Sequence, residues 1–440
     1  MKRLLLLALA AGTAAHAQRP TIDISGARVQ AYPIALAPPS GAPDGSDVMD
    51  VLAADFDRSG LFRLLDPRSF LADPAKEGSS ASTIDFSKWT AVGAQALVKA
   101  AAKVEGDTVK VDFRLFDVPH ASEMLRGEYS APRAALRQIA HRFGDDVVRA
   151  FTQEPGIFQT RIAYVRETEN GKQIAVADSD GYAPQQLTSG SINLLPAWMP
   201  GGRSLAFSSF RNGAGAHLYQ VDLATRAVQP LVKMGDFATG AVFSPDGIRF
   251  AFSASQAENT DIWLSPIEGG AVRRLTDSRG IDISASWSPD GKRIAFVSDR
   301  AGSPQIYTMA IDGSDVRRVT FQGNYNQEPA WSPKGDLIAF SGRDEHRVFD
   351  LYVVNVQTGK VGRLTQSEGT NEKPSWAPNG RLLVFSSTRS GKKQLWSELA
   401  PLDRSGLEEM SVVRLSADGR SYAYSYLRCL NDLYLVQGLR

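Results

Sequence analysis

From about residue 161 onward, short runs of alternating apolar and polar residues follow one another along the chain. A turn of similar sequence recurs between these runs. The clearest copy of this turn, Trp287-Ser288-Pro289-Asp290-Gly291, precedes an apolar run at residues 294–297. Proline fixes the backbone angle that starts a turn, and Asp-Gly supplies the positive φ that completes it. Further copies begin at Trp198, Phe243, Trp331 and Trp376, spaced 44 or 45 residues apart, and a weaker copy begins at Leu415. A period of about 40–45 residues with four strands per unit is typical of propeller blades.

The first repeat lacks its innermost strand, because Arg161 begins a run that matches the strand after each turn. A ring that is closed by its own C-terminus has no open sheet edge. We therefore expect residues 410–415 to be donated to the first unit, which closes a mainly β, six-bladed β-propeller. Residues 422–426 and 432–436 have the pattern of two further strands, so a seven-bladed ring is the alternative.

The residues before the repeats have a different pattern. Apolar residues recur at helical spacing over residues 47–59 and 133–151, and alternating runs at residues 96–104 and 108–116 flank Gly106. These patterns predict two helices and a hairpin. Shorter runs predict strands at residues 34–36 and 61–65 and a helix at residues 86–92. Together they predict a small α/β domain that precedes the propeller.

The first residues have the composition of a secretory signal peptide. Lys2 and Arg3 precede an apolar run, and Ala15-His16-Ala17 resembles a cleavage site. This run is too short to span a bilayer, so we expect an exported, soluble protein without direct membrane insertion. The net charge of +1 also gives no bulk attraction to nucleic acid. The predicted parts are a signal peptide at residues 1–17, the α/β domain at residues 18–153 and the propeller at residues 154–440.

Sequence signals for catalysis or for a metal site are missing. Cys429 is the only cysteine, so no intramolecular disulfide and no cysteine-based metal site can form. The histidines beyond the signal peptide have no metal-ligand spacing and are His120, His141, His217 and His346. The chain has no G-x-S-x-G elbow and no phosphate-binding glycine loop. We expect no metal, no cofactor and no enzymatic activity.

One face of the predicted propeller carries the variable loops. The Pro-Asp-Gly turns lie on the opposite face, so the connections between blades and the loops after each second strand surround the mouth of the channel. Polar side chains in these loops are candidate partner-binding residues: Asp282, Arg300, Asn326, Glu328, Arg343, Asn371, Glu372 and Arg389. A concave polar rim is a common recognition surface, although ordinary solvated loops have the same composition.

Two other functions fit the same surface. A hydrolase or lyase that acts on envelope polysaccharide would use rim carboxylates such as Asp282 and Glu328, which would have to lie roughly 5 to 10 Å apart. A propeller that senses an unrelated ligand would use the same surface as a propeller that binds a partner protein, and the two would differ only in what is bound.

Four stretches of the chain are similar to one known family. They are residues 33–37, 53–62, 158–165 and 180–182, of which Phe158-Gln159-Thr160-Arg161-Ile162-Ala163-Tyr164-Val165 is the most specific. Together with the signal peptide and the order of domains, they make the chain resemble the periplasmic TolB family of the Tol-Pal envelope system. The chain departs from the family pattern in the third repeat, where Ile283 and Ser284 replace polar residues such as Thr-Glu.

The resemblance implies a non-enzymatic periplasmic scaffold. It implies that a Pal-like, peptidoglycan-associated lipoprotein binds at the mouth of the propeller, and that a TolA-like inner-membrane protein binds the N-terminal region. Such an assembly supports outer-membrane integrity and envelope constriction at division. In this family the segment after the signal peptide couples the two partner surfaces, and its candidate residues here are Arg19, Thr21, Ile22, Asp23 and Ile24.

Overall fold

The structure is a computed structural model that describes residues 31–41, 45–74, 76–213, 215–235, 237–256, 259–343, 347–366, 369–376, 380, 383–388, 394–396, 407–415 and 421–428. The chain divides into two units, and the boundary lies between Glu154 and Pro155. The predicted signal peptide and the candidate residues Arg19, Thr21, Ile22, Asp23 and Ile24 lie outside the described residues, as does Arg389.

The described residues of the first unit form one mixed sheet and three α-helices. Its elements are β1 (Tyr32–Leu36), β2 (Ser40–Gly41), α1 (Gly45–Ser59), β3 (Phe62–Leu64), α2 (Phe86–Ala91), β4 (Ala96–Glu105), β5 (Thr108–Asp117), β6 (Ser122–Pro132) and α3 (Leu136–Thr152). The sheet order is β3-β1-β4-β5-β6, and β2 pairs with β4. Strands β3 and β4 both run parallel to β1, whereas β4, β5 and β6 are antiparallel neighbours.

The core of the first unit follows the predicted periodicity. In α3 the buried apolar residues recur at intervals of three or four, among them Ile139, Phe143 and Val147. The Phe143 ring stacks on Phe113 of β5 with 4.5 Å between the ring centroids. The predicted helices and the β4–β5 hairpin are confirmed, but strand β6 was not predicted because residues 122–132 contain few apolar residues, and none of them is buried.

The described strands of the second unit form six sheets. Its strands are β7 (Arg161–Thr168), β8 (Gly171–Asp178), β9 (Gln185–Gln186), β10 (Asn193–Trp198), β11 (Ser204–Ser209), β12 (His217–Asp222), β13 (Val228–Pro230), β14 (Phe237–Phe243), β15 (Arg249–Gln256), β16 (Asn259–Pro266), β17 (Arg273–Arg274), β18 (Asp282–Trp287), β19 (Arg293–Ser298), β20 (Gln305–Ala310), β21 (Arg317–Arg318), β22 (Tyr325–Trp331), β23 (Leu337–Arg343), β24 (Phe349–Asn355), β25 (Val361–Arg363), β26 (Asn371–Trp376), β27 (Leu383–Ser387), β28 (Gln394–Trp396), β29 (Leu407–Leu415) and β30 (Ser421–Arg428). The antiparallel four-stranded sheets are β10–β13, β14–β17, β18–β21 and β22–β25, and β26–β28 form a three-stranded sheet.

The repeated turn has the chemistry that its residues predict. Between β18 and β19, the Ser288 hydroxyl donates a hydrogen bond to Asp290 Oδ1 at 2.6 Å, and the same oxygen accepts the Lys292 amide at 3.1 Å. Gly291 then adopts φ 68°, a conformation that favours glycine. The hydrogen bond from Ser288 holds the pKa of the Asp290 carboxyl below its ordinary value. This carboxylate therefore stabilises a turn, as the sequence predicts.

Two of the repeated tryptophans connect neighbouring sheets. The indole nitrogen of Trp287 donates to the Val242 carbonyl of the preceding sheet at 3.0 Å. Trp376 donates in the same way to the Ala330 carbonyl at 3.0 Å. These two rings thus each contribute apolar burial and one hydrogen bond to the contact with the preceding sheet.

The closing sheet combines the first and last described strands of the second unit. Its order is β29-β30-β7-β8-β9, with β30 parallel to β7 and β29 antiparallel to β30. Residues 410–415 therefore join the sheet of the first repeat, as predicted, but β30 lies between β29 and β7, so the two do not pair directly. Strands β29 and β30 follow each other closely enough to form a hairpin, and it is the second strand of this pair that meets β7.

The fold is mainly β, a propeller with a small α/β domain before it, as the sequence predicts. Strand β30 confirms the predicted strand at residues 422–426, whereas residues 432–436 lie outside the described part of the chain. Six or seven blades stay a prediction.

Candidate partner-binding site

Five inner strands share a β-bulge at the same place. In β10, β14, β18, β22 and β26 the pairing with the next strand shifts three residues before the aromatic residue. A bulge places two residues opposite one and bends the strand. The residue in the bulge has φ between 53° and 68° in every case, and these residues are Leu195, Gly240, Ser284, Glu328 and Lys373. We call these five residues the bulge ring.

The inner strands form a closed cycle of neighbours. Strand β10 contacts β14, and the contacts continue through β18, β22, β26 and β29 back to β10. The bulges are therefore arranged around one axis. The bulge residues are partly exposed, whereas the residue five positions before the aromatic residue is buried in β18, β22 and β26, at Asp282, Asn326 and Asn371. Solvent-accessible side chains in these strands thus include the bulge residues but not these three.

Glu328 connects two members of the bulge ring. Its Oε2 accepts hydrogen bonds from the backbone amide of Lys373 and from the Ser341 hydroxyl, both at 2.9 Å. The β10–β13 and β14–β17 sheets have a similar contact, because the Gly240 amide donates to the Ser208 hydroxyl at 3.2 Å. Burial of the Glu328 carboxyl raises its pKa, although Lys373 opposes this effect. Glu372, which precedes Lys373, is also partly exposed.

Asp282 lies inside the propeller and not at its rim. Its side chain is fully buried, and both carboxylate oxygens accept from Arg300 Nη2 at 2.9 and 3.0 Å. The Ser278 hydroxyl donates to the same carboxylate at 3.1 Å. The expectation of an exposed acid at this position is wrong, because Ser278 and Arg300 enclose the carboxylate and satisfy it.

Asn326 and Asn371 occupy the same position in the next two sheets. Asn326 is 2% exposed and donates from Nδ2 to Gln305 Oε1 of the preceding sheet at 2.8 Å. Asn371 is fully buried and donates from Nδ2 to Asp350 Oδ1 at 3.0 Å. Buried polar groups need such partners, so these residues stabilise the contact between sheets and are not accessible at the rim.

The predicted arginines are held by aromatic rings. Arg300 lies over Phe296 with its guanidinium carbon 5.3 Å from the ring centroid, and Arg343 lies over Tyr325 at 5.0 Å. Contacts of this kind stabilise a cation in place. The structure therefore brings Asp282 and Arg300 together as a buried pair and leaves Glu328 and Glu372 as the predicted acids with solvent access.

Sequence reasoning missed the bulge ring itself. A signal was present, because proline follows the bulge residue in three of the strands, at Pro196, Pro329 and Pro374. Proline disfavours the right-handed helical conformation in the residue before it. This repeat of proline two residues before the aromatic residue would have located an unusual backbone conformation.

Within the described residues, no group of three or more His, Cys, Asp and Glu side chains is arranged to hold a metal ion. Two histidines have acidic partners instead: His141 Nδ1 lies 2.7 Å from Asp55 Oδ2, and His120 Nδ1 lies 2.7 Å from Asp117 Oδ2. Among the helices in the same part of the chain, none is long and apolar enough to cross a membrane.

Comparison with protein families decides what kind of propeller this is. The family described as "TolB beta propeller domain" matches residues 148–427, which is more than half of the chain. The chain belongs to the TolB family. The family described as "TolB amino-terminal domain" matches residues 20–124, so both parts of the chain have counterparts there.

Relatives with curated names carry the same designation. "Tol-Pal system protein TolB" from Anaeromyxobacter dehalogenans is 46% identical over 284 residues, which are 63% of this chain and 65% of that protein. The protein of this name from Myxococcus xanthus is 46% identical over 217 residues, 48% of this chain and 50% of that protein. The matches thus span between half and two thirds of these relatives.

A solved structure has the same fold. The crystal structure of TolB from Acinetobacter baumannii superimposes with a TM-score of 0.75 at 28% sequence identity, and the match covers 90% of this chain and 96% of that one. The combination of a small α/β domain and a propeller is therefore a shared architecture.

Proposed function

We propose that this protein is a non-enzymatic periplasmic component of a Tol-Pal-like system. It is exported to the periplasm by the signal peptide at residues 1–17, which is then cleaved. Its domain at residues 18–153, with the segment that starts at Arg19, binds a TolA-like inner-membrane protein. Its propeller at residues 154–440 binds a Pal-like lipoprotein. This assembly supports outer-membrane integrity and envelope constriction at division.

The bulge ring is the observation that supports a partner site on the propeller. Successive inner strands present partly exposed residues around one axis, and Glu328, Glu372 and Lys373 place charge there. Rigid backbone positions favour binding, because little ordering is needed when the partner arrives. Asp282 and Asn326 act indirectly, since they fix the strands that carry the bulges.

Binding of a Pal homologue from the same organism tests this proposal. We expect the protein from Gln18 onward to bind it at micromolar concentration in biolayer interferometry. Glu372→Lys should weaken binding by about tenfold or more, because it reverses a charge within the proposed interface. Lys334→Glu is the matched control, since it reverses an exposed charge in a turn on the other face. Absence of binding by the unchanged protein would refute the proposal, and equal binding by Glu372→Lys would move the interface elsewhere.

The polysaccharide hydrolase or lyase gains no support from the geometry. Its mechanism needs a carboxylate that reaches the substrate, and Asp282 is fully buried against Arg300. Glu328, its intended partner, accepts hydrogen bonds that join two sheets. The adaptor function fits these roles better.

A further inference from the structure

Strand β6 forms one edge of the sheet in the first unit. It spans 11 residues, Ser122–Pro132, at the end of the order β3-β1-β4-β5-β6. Its pairing with β5 shifts at Met124 and is regular from Leu125 onward. Within the part of the chain that the structure describes, no strand pairs with the other side of β6. Alternate N–H and C=O groups of β6 therefore point outward, and such an edge can accept a further strand.

One face of β5 and β6 carries two rows of like charge. The register places Asp112 directly opposite Glu128, and it places Arg114 directly opposite Arg126. We call the first pair the acidic row and the second pair the basic row. Like charges that lie opposite each other in a sheet repel. Both rows therefore need opposite charges from elsewhere.

Contacts within the chain satisfy these rows along the diagonals. Arg126 Nε donates to Asp112 Oδ1 at 3.1 Å, and Arg114 Nη2 donates to Asp112 Oδ2 at 3.0 Å. Arg126 also forms an ion pair with Glu128 on its own strand. The side chains of Arg126 and Glu128 are still 46% and 66% exposed. Both rows thus end at the edge with a charge that is open to solvent.

Gly127 lies between the two outer charges, and its own face of the strand is covered by an aromatic ring. A Cβ added at Gly127 would lie 2.6 Å from the Tyr129 ring. This ring packs against Phe113 with centroids 6.1 Å apart, and its hydroxyl donates to Asp146 Oδ2 at 3.0 Å. Two such glycines can lie opposite each other without side-chain crowding.

A second copy of the chain matches this edge when it runs antiparallel about a two-fold axis at Gly127. Arg126 then faces Glu128 of the second copy, so each acidic row continues into a basic row. On the other face of the strand, Leu125 faces Tyr129 of the second copy. Each contact occurs twice, because a two-fold interface uses the same patch on both copies. Opposite charges and apolar groups at such positions stabilise strand pairing.

The two adjacent two-fold registers lack this match. An axis at Arg126 would place this arginine opposite itself, and an axis at Glu128 would do the same for the glutamate. Like charges at these positions oppose pairing. Charged residues on an edge strand usually prevent association, but here they exclude these two registers and favour the one at Gly127.

We propose that two copies of the protein associate through β6, antiparallel about a two-fold axis at Gly127. The outward backbone groups of each strand pair with those of the other copy, and the acidic and basic rows meet across the axis. One paired edge buries less surface than a standard interface, so the dimer is weak and depends on concentration. This inference goes beyond the proposed function and does not depend on it, because no other protein takes part.

Sedimentation velocity of the full mature protein tests the proposal. At about 50 mM NaCl we expect a reversible dimer with a Kd on the order of 100 µM, as a small interface allows. A tenfold higher NaCl concentration should weaken it, because salt screens exposed charge pairs. A protein that stays monomeric up to about 0.5 mM at low salt would overturn the proposal.

A charge exchange tests the register. Arg126→Glu places an acid opposite Glu128 of the second copy and should raise the dimer Kd by about tenfold or more. Its fold should be retained, because the new acid also lies opposite Arg114 of its own chain. Adding Glu128→Arg restores opposite charges across the axis and should return the Kd to within about threefold of the original. A double variant as weak as Arg126→Glu alone would overturn the proposal.

Arg63→Glu is the matched control for this exchange. Arg63 is an exposed arginine of β3, the strand at the opposite edge of the same sheet. Its reversal should leave the Kd unchanged. A dimer weakened by Arg63→Glu and not by Arg126→Glu would place the contact at the other edge and contradict the proposal.

Hydrogen–deuterium exchange of the unchanged protein locates the contact without any variant. Amides of residues 125–131 should exchange several-fold more slowly above the dimer Kd than below it, because the outward N–H groups gain partners. Amides of residues 62–64, in β3, should exchange equally at both concentrations. A dimer that forms without added protection in β6 would overturn the proposal.

Discussion

The β18–β21 and β22–β25 sheets share one backbone plan and distribute charge differently. In the first, the buried start of the inner strand is Asp282, paired with Arg300, and the bulge residue is Ser284. In the second, the matching buried residue is the neutral Asn326, and the acid is Glu328 in the bulge. A shift of the acid by two strand positions moves it from the space between sheets to the partly exposed bulge ring.

This difference shows which charges stabilise the ring and which are accessible to a partner. A buried acid needs its cation, because the cost of removing both charges from water is recovered only when they meet. The bulge acid Glu328 keeps some solvent access and makes bonds to the next sheet. The buried pair therefore contributes to stability, whereas the bulge acid belongs to the surface for which partner binding is proposed.

The largest expected effect comes from breaking the buried pair. Asp282→Ala leaves Arg300 without its acid and should lower the free energy of unfolding by about 3 kcal/mol, since Arg300 retains some exposure. Asp282→Asn, which copies the neighbouring sheet, should cost about half as much because it keeps a hydrogen-bond acceptor. Urea denaturation measures both values. A loss below about 1 kcal/mol for Asp282→Ala would show that the pair does not stabilise the ring.

A smaller loss of stability is expected when a carboxylate is introduced at position 326 without a cation like Arg300 beside it. Asn326→Asp should lower the free energy of unfolding by about 2 kcal/mol at pH 7, since a carboxylate would be buried next to the neutral Gln305. Asn193→Asp is the matched control. There Ser209 connects the position to Arg211, so the loss should be clearly smaller. If urea denaturation shows the same loss of unfolding free energy in Asn326→Asp and Asn193→Asp, Arg211 does not stabilise the introduced carboxylate.

The smallest effect concerns the bulge acid and its pH dependence. Burial raises the pKa of Glu328 above its value of 4.5 in the unfolded chain. As the pH rises above 4.5, the unfolded state loses its proton first, so this residue lowers the free energy of unfolding until the folded pKa is passed. Glu328→Gln should remove this dependence and become more stable than the unchanged protein as the pH rises. Ser284→Ala, at the matched position, should leave the pH profile unchanged, and an identical profile for Glu328→Gln would refute the raised pKa.

Elements that depend only on neighbouring residues in the chain could be predicted from the sequence. The turn at Asp290 and Gly291 needs only its own hydrogen bonds, and α3 needs only an apolar face. Both were therefore predictable from the chain. The burial of Asp282 was not, because it depends on Arg300 and on the sheet beside it. A polar residue at a strand end has the same sequence signal whether it faces solvent or a neighbouring sheet.

The candidate site was predictable only in part for the same reason. Glu328 and Glu372 were found because charged residues near a loop are usually accessible, and the structure keeps them partly exposed. The bulges were found only by comparing sheets in three dimensions. Their sequence signal, a proline after the bulge residue in three strands, has meaning only when the repeats are aligned.

The pairing of β30 with β7 also determines when the propeller can close during folding. These strands come from opposite ends of the propeller sequence, so the residues from Arg161 to Arg428 must all be available before the circle can be completed. Until then β7 has an unoccupied edge that can recruit foreign strands. A growing or truncated molecule is therefore more prone to aggregation than the finished one, and holdase chaperones would act mainly during this interval.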